Sequence, residues 1–465
     1  MGNTLGGYKI VDHELSIPSK GTIKGVQYDN KARRYAGIPY ALPPTGDHRW
    51  RKPRPLPSSY TYMQPDGSPL DASEFRAVCP QVTFHSGAEK GLGPERYSED
   101  CLILNIWTPV SSHQQENQIK WPVMLWLHGG WFQMGDPCQE LGMDPTEMIS
   151  TGKLNAIVVG IGYRLNIFGF LAGEALLQES NGECAGNMGL WDQRLAMEWV
   201  KEHISAFGGD PENITLAGRS AGAYAVHAHT LYDFRTENSQ RLYSRIFMCS
   251  NAIPAQPKTV AETEPQFDEV CNYFKVPVTL TGPEKLAQLR KISSDELVGA
   301  INNLQHHTFR PVTDGIFIHA GMMDFQRSSE FAEEFKRRNL KLLIGEVLNE
   351  ETLYSTYNAP EPNKKSLGLQ VSNYYAPATT ERILEYYALP KSSNLDEWRT
   401  TYGNIIADGQ VRAPSRSVAN SLFKYGVAVD DIWRYQVAYR LSFINEKVAP
   451  SSFGVAHAMD KPLWK

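Results

Sequence analysis

The stretch ITLAGRSAG (214–222) places Ser220 between Gly218 and Gly222, the G-x-S-x-G spacing of a nucleophile elbow. An apolar run precedes the serine and AGAYAVHAHTL follows it, so the spacing predicts a strand, a tight turn and then a helix. Such a turn admits only small neighbours. It would project the Ser220 hydroxyl at the carboxyl end of a sheet, with the Ala221 amide aimed at a developing oxyanion. The plainer alternative is a helix N-cap serine in a glycine-rich turn.

A serine hydroxyl needs a base, and the base needs an orienting acid. In a strand–elbow–helix fold the chain order is Ser, then Asp or Glu, then His. The histidines after Ser220 are 227, 229, 306, 307, 319 and 457. His227 and His229 fall in the helix leaving the elbow, where packing or solvent exposure is expected. His306 and His307 precede a loop and have no partner that the sequence names. His457 lies in the small-residue loop FGVAHAMD, after a run (IWRYQVAYRL, 432–441) that reads as a strand. The acid should follow a buried strand between the two, and KLLIGEVLNEET offers Glu346, Glu350 and Glu351 without choosing among them. LHGGWFQMG (127–135) has the glycines an oxyanion loop needs to turn its amides toward negative charge.

The elements that must position these residues alternate along the chain. Short apolar runs broken by SKG and DNK fill the first 35 residues, as hairpin strands would. CLILNIWTP (101–109) and PVMLWLHGG (122–130) read as adjacent strands. LNAIVVGIGYR, ITLAG, RIFMCS and KLLIGEV are further buried runs, and 189–209 carries helical spacing at Leu190, Leu195, Trp199 and Val200. The pattern predicts an α/β fold with an open, mostly parallel sheet. Residues 251–340 and 354–430 are helix-like, punctuated and charged, and read as insertions on one domain spanning 1–465.

Composition sets limits. With 42% hydrophobic and 21% charged residues and a net charge of -5, the chain has no basic stripe for nucleic acid. No apolar run is long enough for a transmembrane helix. MGNTLGGYKIVDHE lacks the regions of a signal peptide, so the reading expects a cytoplasmic protein, or an extracellular one if a leader has been removed. The six cysteines (79, 101, 138, 184, 249, 271) show no metal-ligand spacing and read as buried thiols. Chemistry by a serine, an acid and a histidine calls for no metal or organic cofactor and leads us to expect a small-molecule ester as partner; the chain is read as a monomer or homodimer.

Taken together with YAGIPYALPPTGDHRW, YSEDCLILNIWTP, GYRLNIFGFL, GNMGLWDQRLAMEW, FRPVTDG and IGEVLNEETLY, these motifs resemble the type-B carboxylesterase/cholinesterase family over nearly the whole chain. The style of the sequence is similar to filamentous-fungal members. The resemblance implies an α/β-hydrolase fold with a helix-lined gorge and a triad of Ser220, Glu350 and His457. It implies an oxyanion hole from the amides of Gly130, Trp131 and Ala221, and a disulfide at Cys79 and Cys101, which could stay reduced in the cytosol. Where the family commonly has Gly or Ala after HGG this chain has Trp131, and Arg219 stands in place of the usual Glu. Trp131, Phe132 and Arg219 are therefore expected to shape substrate binding. Glu351 replaces the usual Gly after the acid, and Gly162 a frequent Asn. Arg164 and Asp192 read as architecture. Eight residues follow His457, so the reading expects part of the family's C-terminal helical segment to be missing. Ester hydrolysis is the leading activity. A biosynthetic acyltransferase or lactone hydrolase with the same triad, and a non-catalytic binding protein on the same fold, are the alternatives.

Overall fold

The computed structural model describes residues 7–82, 96–110, 120–137, 144–237, 239–446 and 449–460. Ten strands form the body of one sheet: β1 (Ile10–Ile17), β2 (Gly21–Tyr28), β3 (Ala32–Pro39), β4 (Ile103–Pro109), β5 (Trp121–Leu127), β6 (Ile157–Ile161), β7 (Gly209–Arg219), β8 (Arg245–Cys249), β9 (Lys341–Val347) and β10 (Ile432–Val437). Their order is β1-β2-β3-β4-β6-β5-β7-β8-β9-β10, with a short strand, Leu70–Asp71, added beside β2. Along that order the first four run antiparallel to their neighbours, and everything from β6 to β10 is parallel; the short strand runs parallel to β2. The expected open, mostly parallel sheet is present.

One adjacency differs from the sequence reading. β4 and β5 are not neighbours, because β6 lies between them: Val159 pairs with Ile106 on one side and Leu125 on the other. An apolar run reports burial on both faces and carries no information about which strand lies alongside.

The strand residues Leu125, Val159, Leu216, Ile246 and Ile344 are buried in one continuous core with helix residues. Two helices flank the elbow: α1 (Met188–His203), which buries Leu190, Trp199 and Val200, and α2 (Ala221–Arg235). Residues 351–412 form a second apolar cluster of their own. There α3 (Glu351–Thr356), α4 (Lys364–Ser372) and α5 (Leu395–Ala407) meet around Tyr354, Leu367, Trp398 and Tyr402. Gly403 permits the contact, since a Cβ there would lie 2.6 Å from the Glu351 carbonyl oxygen. No helix among the described residues is long and apolar enough to cross a membrane.

Arg164 and Asp192 are architectural, as read. The guanidinium donates to both carboxylate oxygens at 2.8 and 2.6 Å, fully buried, and the Arg164 amide adds a third bond at 3.0 Å. The pair ties the segment after β6 to α1. Loss of either member would leave a buried charge uncompensated.

Candidate active site

β7 ends at Arg219, and the next residue turns sharply: Ser220 has φ 55° and ψ -122°, a conformation held only when the surroundings over-determine it. Those surroundings are close. A Cβ at Gly218 would lie 2.5 Å from the Gly222 carbonyl carbon, and one at Gly222 would lie 2.0 Å from the Leu127 carbonyl oxygen. Both glycines of the motif are thus sterically required. The Ser220 amide donates to the Cys249 carbonyl at 2.8 Å, continuing the β7–β8 ladder one residue past the strand.

The HGG loop packs on the elbow. A Cβ on Gly129 would sit 2.7 Å from the Arg219 carbonyl oxygen and 3.0 Å from Ser220 Cβ. Gly130, Trp131 and Phe132 all have positive φ (112°, 57° and 66°), and the Gly130 carbonyl accepts from the Gln133 and Met134 amides at 2.8 and 3.0 Å. The loop is therefore a fixed turn beside the serine. Ala221 opens α2, whose first amides have no partner within the helix.

The acid and the histidine meet beyond the next strands. Ser250, just past β8, donates its amide to the Gly345 carbonyl of β9 at 2.8 Å. Glu350 follows β9, is completely buried, and accepts from the Val347 amide at 2.8 Å through Oε1 and from His457 Nδ1 at 2.5 Å through Oε2. Burial alone would push Glu350 up. The charge and hydrogen bond of His457, the adjacent Ser250 hydroxyl and the Val347 amide together hold it below the usual carboxylate range. With Nδ1 spent on Glu350, the far ring nitrogen is the one left for chemistry. Two ladder spacings separate β7 from β9, about 10 Å, too far for a carboxylate to reach a serine directly.

His457 arrives from the C-terminal loop, and two residues that the sequence reading passed over hold it there. The Asn349 amide donates to the Val455 carbonyl at 2.9 Å, and the Val455 amide donates to Asn349 Oδ1 at 3.1 Å. Arg440 donates to the Gly454, Ala449 and Ile444 carbonyls at 2.7, 2.7 and 3.1 Å, closing the loop around its guanidinium. Neither residue sits in a motif with a local spacing, so no local signal could have found it.

Of the three candidate acids only Glu350 touches the histidine. Glu346 is ion-paired to Arg416 at 3.0 Å. Glu351 points away to Arg412, where it clamps α3 to the wide helical turn Asp408–Arg412, and contributes no second charge to the site. Three of the other histidines make their contacts elsewhere. His227 accepts the Ile253 amide at 3.1 Å, His229 meets Gln193 at 3.0 Å, and both are buried. His306, which had no nameable partner, pairs with Glu269 at 2.9 Å.

The expected substrate contacts fare unequally. Trp131 is half-buried beside the second core cluster, edge-on to Tyr357 at 6.0 Å, with its side chain hydrogen-bonded to Tyr374. Phe132 is wholly buried, 4.8 Å from the Phe170 ring and 5.5 Å from the Tyr224 ring, so it is core and does not line an open gorge. Arg219 is buried too, in register with Cys249 inside the sheet. Cys79 and Cys101 are buried side by side as free thiols, the Cys79 sulfur accepting the Leu165 amide at 3.2 Å. Cys138 lies outside the described residues. Among the described residues no group of three His, Cys, Asp or Glu side chains is placed to hold a metal ion.

A model of the carboxylesterase family matches residues 11–464. The chain belongs to that family. It is a carboxylic ester hydrolase, similar to an uncharacterized esterase/lipase of Schizosaccharomyces pombe, at 37% identity over 97% of this chain and 83% of the relative. A carboxylic ester hydrolase of Gibberella moniliformis is 36% identical over 98% and 84% respectively. Both relatives are fungal. Among solved structures, a thermophilic PNB esterase superposes with a TM-score of 0.75 at 24% identity, covering 97% of this chain and 83% of its own, a likeness of fold.

Proposed function

We propose that the carboxylic ester hydrolase works by two-step acyl transfer through Ser220. His457 takes the Ser220 proton as the hydroxyl oxygen attacks the ester carbonyl, and returns it to the departing alcohol. Glu350 fixes the imidazole tautomer and stabilises the imidazolium. Amides of Gly130, Trp131 and Ala221 donate to the tetrahedral oxyanion, each such donor contributing about 3 kcal/mol to the transition state. Water, activated by the same histidine, then releases the acid. The observation that carries the reading is the fully buried Glu350–His457 contact at 2.5 Å, two strands from a serine held in the strained elbow conformation.

Mixing the protein with p-nitrophenyl esters, wild type beside Ser220→Ala, tests it. The expected result is a nitrophenolate burst equal to the active-site concentration, with burst and turnover both lost in the variant. Turnover that survives in Ser220→Ala would overturn the nucleophile assignment.

A further inference from the structure

Away from the serine, FRPVTDG places a cation that the triad does not use. The Arg310 guanidinium lies 4.9 Å from the Tyr374 ring centre, 5.5 Å from Tyr224 and 5.9 Å from Phe132. Its Nη2 donates to Gln410 Oε1 at 3.0 Å, a neutral acceptor. Lys258 lines the same cavity. The carboxylate with most influence on that lysine, Glu262, is occupied in a helix cap, accepting from the Thr259 amide at 2.8 Å and the Thr259 hydroxyl at 3.0 Å. Among the described residues no carboxylate lies within 4.0 Å of Lys258 Nζ or the Arg310 guanidinium. Two partly buried cations face one cavity with no described carboxylate in ion-pair contact with either, an arrangement that an entering anion would relieve. Burial holds Lys258 down to about 8, offset in part by the Glu262 charge and assisted to a smaller degree by Arg310.

The cavity is small, about 30 Å³, room for about two waters or the two oxygens of a carboxylate. Two residues of its wall are hydrogen-bonded to the serine and to the HGG loop. Tyr224, in its wall, donates its amide to the Ser220 carbonyl at 3.0 Å, one helical turn away. Tyr374, also in the wall, hydrogen-bonds the Trp131 side chain of the oxyanion loop. Four residues of helix rise about 6 Å, the span of a short carbon chain or one aromatic ring.

We propose that this cavity is a carboxylate subsite, and that the enzyme prefers esters bearing a free carboxylate, bound by Arg310 and Lys258 while the ester carbonyl faces Ser220. The inference rests on Ser220 being the nucleophile. Two matched pairs test it: mono-p-nitrophenyl glutarate against its neutral methyl ester, and 4-acetoxybenzoate against methyl 4-acetoxybenzoate. The first probes the acyl side and the second the alcohol side. In at least one pair the charged ester should have a kcat/KM tenfold or more above its neutral partner, mostly through KM. In Arg310→Gln and in Lys258→Met that ratio should fall toward one. The ratio is taken within one sample, so a variant that folds poorly still reports it. A wild-type preference for both neutral esters, or a ratio unchanged in both variants, would overturn the subsite and leave the hydrolase reading intact. If no ester is turned over, the hydrolase reading fails, and equilibrium dialysis of 4-acetoxybenzoate and its methyl ester judges the subsite alone. Binding of the anion that weakens tenfold in Arg310→Gln supports it, and equal binding of the two compounds sinks it.

Discussion

Trp131 has opposing effects at a single position. Its φ of 57° is costly for a bulky residue, on the order of 1 kcal/mol, and glycine would relieve that strain. Against this stand its contacts with Tyr357 and Tyr374 and its packing on the second core cluster, whose loss costs about 2–3 kcal/mol. Packing wins, so Trp131→Gly should lower the melting temperature by a few degrees. The same change empties space beside the HGG loop. The kcat/KM ratio for p-nitrophenyl octanoate over acetate should therefore rise roughly tenfold, within the range pocket methylenes command. An unchanged ratio would mean that the indole does not border the acyl chain. The site's backbone geometry was legible at this scale because G-x-S-x-G and HGG encode their own sterics: the glycines are those whose Cβ would collide with Leu127, Gly222, Arg219 or Met134. What the sequence hid was long-range. Arg440 and Asn349 act on His457 from afar, and Phe132 packs inward on Phe170 and Tyr224, contacts that exist only in the folded chain.

At the scale of elements, α2 carries the consequence of burying two imidazoles behind the elbow. Burial holds His227 down to about 3, and burial with the neighbouring Arg194 charge holds His229 well below its ordinary value. Both are neutral in the folded protein, and the His227 Nδ1 that accepts the Ile253 amide is the atom a proton would block. For a depressed histidine the unfolded chain binds the extra proton. Stability is then whole above about pH 6.5 and falls as pH drops toward the folded value. For His227 alone the loss is on the order of 3 kcal/mol by pH 4.5. Melting temperatures should decline steadily from pH 6.5 to 4.5. His227→Asn, which keeps an acceptor for Ile253, should flatten that slope, and a variant as acid-sensitive as wild type would count against the assignment. The element itself was predictable, since AGAYAVHAHTL is helical in pattern. Which of its faces would be buried was not, because strands on one side and Gln193 of α1 on the other enclose it only in the folded chain.

For the whole molecule, the reading of one domain from 1 to 465 meets a partition of its core. The main cluster runs from Ile17 to Ile432 and draws on every strand from β5 to β9, so chain segments distant in sequence stabilise one another. Residues 354–411 pack mostly on themselves, yet Tyr354 lies 5.3 Å from the His457 ring and Trp131 borders the same cluster. The helices α3 to α5 thus form a roof over the acid–histidine half of the site. The Glu351–Arg412 clamp holds them together, and aromatic contacts with Trp131 and His457 join them to the rest of the site. Their helical character was legible from punctuation and charge. Their role as a roof was not, because it depends on Gly403 letting α5 press against α3. Such a self-contained cluster should open as a unit below the free energy of global unfolding. Hydrogen exchange in the native state should therefore show amides of 364–407 exchanging together at lower denaturant than those of β5 to β9. Esterase activity should be lost with the first group, since opening uncovers His457. Simultaneous exchange of both groups would instead make the molecule a single cooperative unit. The roof would then be as firmly held as the sheet, and substrate would have to enter without any opening of these helices.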